Sequence, residues 1–457
     1  MLISRYSKPE FDPYGDTSPE ETNEWWPAPT ADGPLDAGLS LPGSKSLTNR
    51  ELVLAALAEG PSLLRSPLHS RDSDLMVAAL RQLGTTIESV PGAGEYGPDL
   101  RVTPGELVGS TTIDCGLAGT VMRFLPPVAA LALGPTTFDG DAGARRRPMA
   151  TTISSLRALG ADINDDGRGA LPFTVHGTGT LAGGEVTIDA STSSQFVSGL
   201  LLAGARLEHG LHLRHSGERL PSLPHIEMTI ATLARRGVVV LSPSIGEWVV
   251  PPGPIAGAEV DIEPDLSNAA PFLAAALVAG GTVTITGWPS DTTQVGADLA
   301  ELLPLFGARV SLVGDRLTVS AGERLSGADL DLSTGGELAP ALVALAALAD
   351  SPSTITGIGH IRHHETDRLA ALTAEINGLG GAVTELPDGL RIDPRPLHGG
   401  HWRSYDDHRM ATAGALIGLV VPGVEIENIG TTAKTLPQFV DLWQTLVAPG
   451  TAPVVPT

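Results

Sequence analysis

The chain has 457 residues, 42% of them apolar, enough for two or three domains with substantial cores. A formal charge of -23 argues against non-specific nucleic-acid binding and anionic membrane surfaces, and no apolar run reaches the ~18 residues of a membrane span. A single cysteine, Cys115, allows no intrachain disulfide and no multi-cysteine metal site, which fits a reducing cytoplasm.

Residues 1–38 are rich in Pro, Asp, Glu and Thr and lack the basic start and apolar stretch of a signal peptide. They read as a largely disordered tail, with the Trp25-Trp26 pair as its docking point on the body.

Beyond the tail the pattern repeats six times, at roughly 70 residues per unit. Each unit reads as strand, small polar or Gly turn, apolar helix, Thr/Val/Ile-rich strand and second helix. First helices are expected from near Ser46, Gly119, Ser194, Ser267, Glu337 and Asp407. Second helices are expected from near Asp72, Arg147, Ser222, Asp291, Glu365 and Lys434. The first five of these end on Gly84, Gly160, Gly237, Gly307 and Gly380, the residue type that best adopts the left-handed conformation closing a helix. Six such units suggest two domains of three, with the chain crossing near Leu41-Pro42 and again near Glu263-Pro264-Asp265. An open solenoid is the alternative, although its repeats are usually about 20–50 residues long.

The polar residues concentrate at helix starts. Only three lysines occur, Lys8, Lys45 and Lys434, and two of them lie in motif-like stretches. Lys45, Ser46 and Arg50 open the first helix, Gly119 and Arg123 the third, Ser193-Ser194-Gln195 the fifth, and Asp407-His408-Arg409 the eleventh. Arg147, Arg368 and Lys434 fall at starts of second helices. Ser, Thr, Asp and Gly at these places are ordinary caps. Arg and Lys are not, because the helix dipole disfavours a cation at its N-terminus. Their recurrence points to an anion held between helix ends and cations. The stretch His360 to Glu365 matches no known metal-ligand spacing, so no metal is expected.

These stretches resemble, in the same order, the 3-phosphoshikimate 1-carboxyvinyltransferase (5-enolpyruvylshikimate-3-phosphate synthase) family. The matching motifs are Pro42-Gly43-Ser44-Lys45-Ser46 with Asn49-Arg50, Ala118-Gly119-Thr120 with Met122-Arg123, Ser193-Ser194-Gln195, His364-Glu365-Thr366-Asp367-Arg368, Asp407-His408-Arg409-Met410 and Thr432-Ala433-Lys434-Thr435. The resemblance runs from about Leu39 to Val447 and implies a two-domain inside-out α/β barrel of six βαβαββ repeats, with the active site in the interdomain cleft. Residues 42–263 would form one domain, and residues 39–41 plus 264–457 the other.

The resemblance further implies enolpyruvyl transfer from phosphoenolpyruvate to 3-phosphoshikimate in aromatic amino acid biosynthesis. It implies no cofactor or metal, and a cytoplasmic monomer whose partners are these small molecules. Lys45, Ser46, Arg50, Ser193, Ser194, Gln195, Ser222, Glu337 and His364 would hold 3-phosphoshikimate. Lys45, Gly119, Arg147, Gln195, Arg368, Arg409 and Lys434 would hold phosphoenolpyruvate. Glu337, Glu365 and Lys45 would be catalytic, with the assignment of each proton transfer left open. Both carboxylates are expected to have raised pKa values, from burial and the charge of the substrate. Gly119 implies sensitivity to glyphosate, which in this family occupies the phosphoenolpyruvate site.

Several positions depart from the family pattern. Glu337 stands for Asp, His364 for Lys with a contact expected to depend on pH, Leu117 for Asn, Phe124 for Pro, and His225 for a Tyr that stacks on the substrate ring. Two other readings account for fewer residues. A UDP-N-acetylglucosamine enolpyruvyl transferase would carry its cysteine on a mobile loop, and a non-catalytic anion-binding relative would not retain the whole set of charged residues.

Overall fold

The computed structural model describes residues 24–448. Its strands form six small mixed sheets, four of four strands and two of three. One unit shows the plan. Thr111–Asp114 lies parallel to Leu133–Asp139, and helix Gly119–Ala130 makes the crossover that a parallel pair requires. Helix Ala150–Ala158 then leads into Asp162–Asn164 and Phe173–Thr178, an antiparallel pair that completes the sheet against Leu133–Asp139. The chain is therefore α/β, with the repeat visible in its pairing.

First helices run Lys45–Leu57, Gly119–Ala130, Gln195–Gly204, Ala269–Val278, Ala339–Ala347 and His408–Gly418, all within two residues of expectation. Several are apolar on every side, as in Ala269–Val278, because neighbouring helices and sheets enclose them completely. Gly84, Gly160, Gly237, Gly307 and Gly380 have φ of +101°, +104°, +79°, +98° and +92°, the left-handed helix ends expected of them.

Second helices start less regularly. Lys434 does not open a helix but ends the 3-10 turn Ile429–Lys434, and after Pro437 the helix runs Phe439–Val447. In the fourth unit the 3-10 turn Val295–Asp298 likewise delays the helix to Leu299–Leu305.

The expected tail needs correction. Residues 1–23 lie outside the described residues, but from Glu24 onward the chain is built into the fold. Leu35–Leu39 pairs in parallel with Gly281–Thr286, burying Leu35, Ala37 and Leu39 and exposing Asp36. That alternation is a strand signal, here obscured by the surrounding Pro and acidic residues. Trp25–Pro27 pairs antiparallel with Val424–Glu427, and the Trp25 ring stacks on His401 with centroids 4.1 Å apart. In the other sheets this antiparallel position is taken by a strand that follows the second helix. The sixth unit takes it from the N-terminal side.

Buried apolar side chains form two separate cores, one from within residues 47–262 and one from 35–41 with 266–446. The two passages between them are bonded to each other, Ser44 N donating to Glu263 O (2.8 Å) and Asp265 N to Pro42 O (2.9 Å). A Cβ on Gly43 would stand 2.4 Å from Ser66 O, so only glycine permits this close approach. Among the described residues no helix is long and apolar enough to cross a membrane.

Candidate active site

Between the two cores lies a cleft lined by polar residues from both. The first core contributes Lys45, Ser46, Arg147, Ser193, Ser194, Gln195 and Ser222, at or just ahead of helix starts. The second contributes Glu337, His364, Glu365, Arg368 and Arg409.

Local chemistry sets each in place. The Ser44 hydroxyl accepts from Leu47 N (3.4 Å), capping Lys45–Leu57, while Lys45 N donates to Asp265 Oδ2 (3.1 Å) across the crossing. Asp367 and Asp407 cap their helices by accepting from Ala370 N and Arg409 N, which puts Arg368 and Arg409 in the first turn. Ser222 has a φ of +52°, and its N–H donates to Ser333 O (3.2 Å), tying the two cores together at the cleft.

The charges form one network. Arg368 grips Asp407 with two bonds (2.7 and 3.0 Å), and also donates to Glu365 Oε2 (3.0 Å). His364 Nδ1 lies 3.1 Å from Arg368 Nη1. Lys434 Nζ donates to the other Glu365 oxygen (2.5 Å) and to Leu117 O (3.2 Å). Arg147 also donates to Leu117 O (3.0 Å), so Leu117 serves the site through its backbone rather than its side chain. Arg409 donates to Ser267 O (2.7 Å). Glu337 Oε2 lies 3.2 Å from His225 Nε2, on the opposite wall.

The raised carboxyl pKa values expected from the sequence are not found. Burial pushes Glu337 up, but His225, Arg409 and Lys45 outweigh it and hold the carboxyl below the usual range. Burial likewise opposes ionisation of Glu365, and Lys434, Arg368 and Arg147 overcome it. At both carboxylates the cations brought in from distant segments outweigh burial in the protein alone. The pH-dependent contact expected of His364 also fails, because burial and the neighbouring Arg368 push its pKa well down and keep the ring neutral.

Three expected residues lie off the cleft surface. Arg50 is 1% exposed and stands behind the wall. Its guanidinium donates to Ser46 O (2.8 Å), His225 O (2.9 Å) and Thr229 Oγ1 (2.8 Å), and Phe124 packs under it at 5.3 Å. These contacts support the wall from behind. Lys434 reaches Glu365 from an adjoining cavity, which Glu365 also lines. Gly119 presents no side chain, but a Cβ there would meet Arg147 Nη2 at 2.9 Å and both Arg123 Nη1 and Gln195 Oε1 at 3.0 Å.

Arg123, His360 and His408, which have no assigned role in the sequence, line the cleft, as does His225 at the place of the substrate-stacking Tyr. Arg123 lies 3.3 Å from Gln195 Oε1, with its pKa pushed down by burial and by Arg147. Its available signal was its place four residues after Gly119, one helical turn on. His408 adjoins the capping Asp407, and its buried Nδ1 has no hydrogen-bond partner among the described residues. For His360, only the third dimension reveals the cleft.

A model of the family described as EPSP synthase (3-phosphoshikimate 1-carboxyvinyltransferase) matches residues 29–443. The 3-phosphoshikimate 1-carboxyvinyltransferase of Kocuria rhizophila is 57% identical over 431 residues, 93% of this chain and 97% of that protein. Two solved structures of EPSP synthase from Acinetobacter baumannii share the fold, with TM-scores of 0.74 and 0.73 at 23% and 22% identity. They cover 92% of this chain and 97% and 98% of their own.

Proposed function

The chain belongs to the EPSP synthase family, and from that premise we infer that it transfers the enolpyruvyl group of phosphoenolpyruvate to the 5-hydroxyl of 3-phosphoshikimate, in the shikimate pathway. The hydroxyl oxygen bonds to C2 of phosphoenolpyruvate, C3 takes a proton and the hydroxyl loses one, giving a tetrahedral intermediate. Loss of phosphate from C2 and of a proton from C3 then restores the double bond.

The observation that carries this reading is a cleft in a strongly acidic chain that gathers Lys45, Arg123, Arg147, Arg368 and Arg409 around the carboxylates of Glu337 and Glu365. Two phosphorylated substrates need such cations, and desolvation strengthens each contact. We assign 3-phosphoshikimate to Lys45, Ser46, Ser193, Ser194, Gln195, Ser222, Glu337 and His364, with Arg50 bracing Ser46. Phosphoenolpyruvate is assigned to Lys45, Arg147, Gln195, Arg368, Arg409 and Lys434, against the bare backbone of Gly119.

Glu337, held ionised, is the base for the hydroxyl proton. Glu365, also ionised, exchanges the C3 proton together with the Lys434 ammonium bonded to it, and Lys45 assists. The two cores act as two domains closing on the substrates, the second including Leu35–Leu39. We propose that the enzyme acts as a monomer in the cytoplasm.

The test is phosphate release by purified protein given both substrates, then each alone, without added metal. Release is expected only with both; release from phosphoenolpyruvate alone, or none at all, would refute the reading.

A further inference from the structure

His225 bridges the cleft at the place where the base must be aimed. It sits in the first turn of helix Leu223–Arg235, on the wall of the first core. Its carbonyl oxygen accepts from Arg50 Nη2 (2.9 Å), Thr229 Oγ1 (2.9 Å) and Ser198 Oγ (3.4 Å), and its N–H donates to Ser222 O (3.0 Å). The backbone beneath the imidazole is therefore clamped by Arg50, Ser198 and Thr229, which are themselves buried. Glu337 lies on the other side, just ahead of helix Ala339–Ala347. The two side chains meet with Nε2 at 3.2 Å from Oε2. Close by, the Ser222 N–H to Ser333 O bond fixes the register of the same two segments.

We propose that His225 is a positioning residue for Glu337, donating from Nε2 to one carboxylate oxygen across the cleft so that the other is aimed at the substrate hydroxyl. The proposal rests on the reading of Glu337 as the base. A glutamate has one more rotatable bond than an aspartate, and here two cations, Lys45 and Arg409, compete to draw it aside. An imidazole fixed by its own backbone opposes that motion. Because His225 and Glu337 belong to different cores, the aiming contact forms only when the two walls meet, which couples closure to chemistry.

The experiment compares His225→Phe, which keeps a planar ring without a donor, with His225→Gln, whose amide nitrogen can stand in for Nε2. Each is also made in the Glu337→Gln background. His225→Phe should lower kcat by roughly 10–100-fold while 3-phosphoshikimate affinity, measured by calorimetry, shifts by no more than about 3-fold. His225→Gln should recover most of the loss, and with Glu337→Gln neither change should lower kcat further.

Unchanged kcat in His225→Phe overturns the proposal, as does a loss that His225→Gln does not recover, since the ring alone would then matter. If Glu337→Gln itself turns over normally, the base assignment fails and this inference falls with it. A fully impaired Glu337→Gln beside an active His225→Phe would sink only the inference.

Discussion

Gly119→Ala tests the proposed division of the cleft between its two substrates. The added methyl would meet Arg147 Nη2 at 2.9 Å and Arg123 Nη1 and Gln195 Oε1 at 3.0 Å. All three are far ends of flexible side chains, so the protein accommodates the methyl by moving them rather than its backbone. Overpacking of this kind costs about 1–3 kcal/mol. The strain falls on Arg147, assigned to phosphoenolpyruvate alone, and on Gln195, assigned to both substrates, so kcat/KM for phosphoenolpyruvate should fall the more, roughly 5- to 150-fold. Gly119 is the first residue of helix Gly119–Ala130, where alanine is the better helix former, so part of the overpacking cost is offset and the melting temperature should fall by only a few degrees. Steady-state kinetics with each substrate varied at saturation of the other separates the effects. The KM for 3-phosphoshikimate, which shares Gln195 but not Arg147, should move less, and glyphosate, if it takes the phosphoenolpyruvate place, should inhibit the variant less. Equal loss with both substrates, or an unchanged kcat/KM for phosphoenolpyruvate, would refute the reasoning.

Glu365→Gln should cut turnover by roughly 10²–10⁴-fold while 3-phosphoshikimate still binds; near-normal turnover would remove Glu365 from the chemistry. A chain beginning at Pro34 loses the Trp25–Pro27 strand and the Ala28 N to Val424 O and Ala31 N to Leu419 O bonds, each worth about 1 kcal/mol. Its melting temperature should fall by several degrees, and an unchanged melt would mean the strand adds nothing to stability. Burial lowers the His360 pKa from 6.5 to about 4, so as pH falls the unfolded imidazole takes its proton first. The stability held by its neutral form is complete above about pH 6.5 and lost between there and about pH 4, up to roughly 3 kcal/mol. Denaturant unfolding at several pH values should show a flatter acid limb in His360→Asn, and parallel curves would contradict the assignment.

The six units, their helix starts and the family were legible in the chain because their signals are local. A glycine that ends a helix, an oxygen that caps one and an apolar run that fills one each act within a few residues. Lys45, Arg147, Arg368 and Arg409 were legible for a related reason, since cations at helix starts run against the dipole. Where propensity alone was read, Trp25–Pro27 and Leu35–Leu39 were missed, because a strand of three to five residues gains its stability from partners hundreds of positions away.

Tertiary structure decided the rest. It put Arg50 behind the wall instead of in the cleft, and brought His225 onto Glu337 from 112 positions away. It also reversed the expected sign at both carboxylates. A buried carboxyl rises or falls in pKa according to the cations within a few ångströms, and a separation of 69 positions between Glu365 and Lys434 says nothing about that distance until the chain is folded.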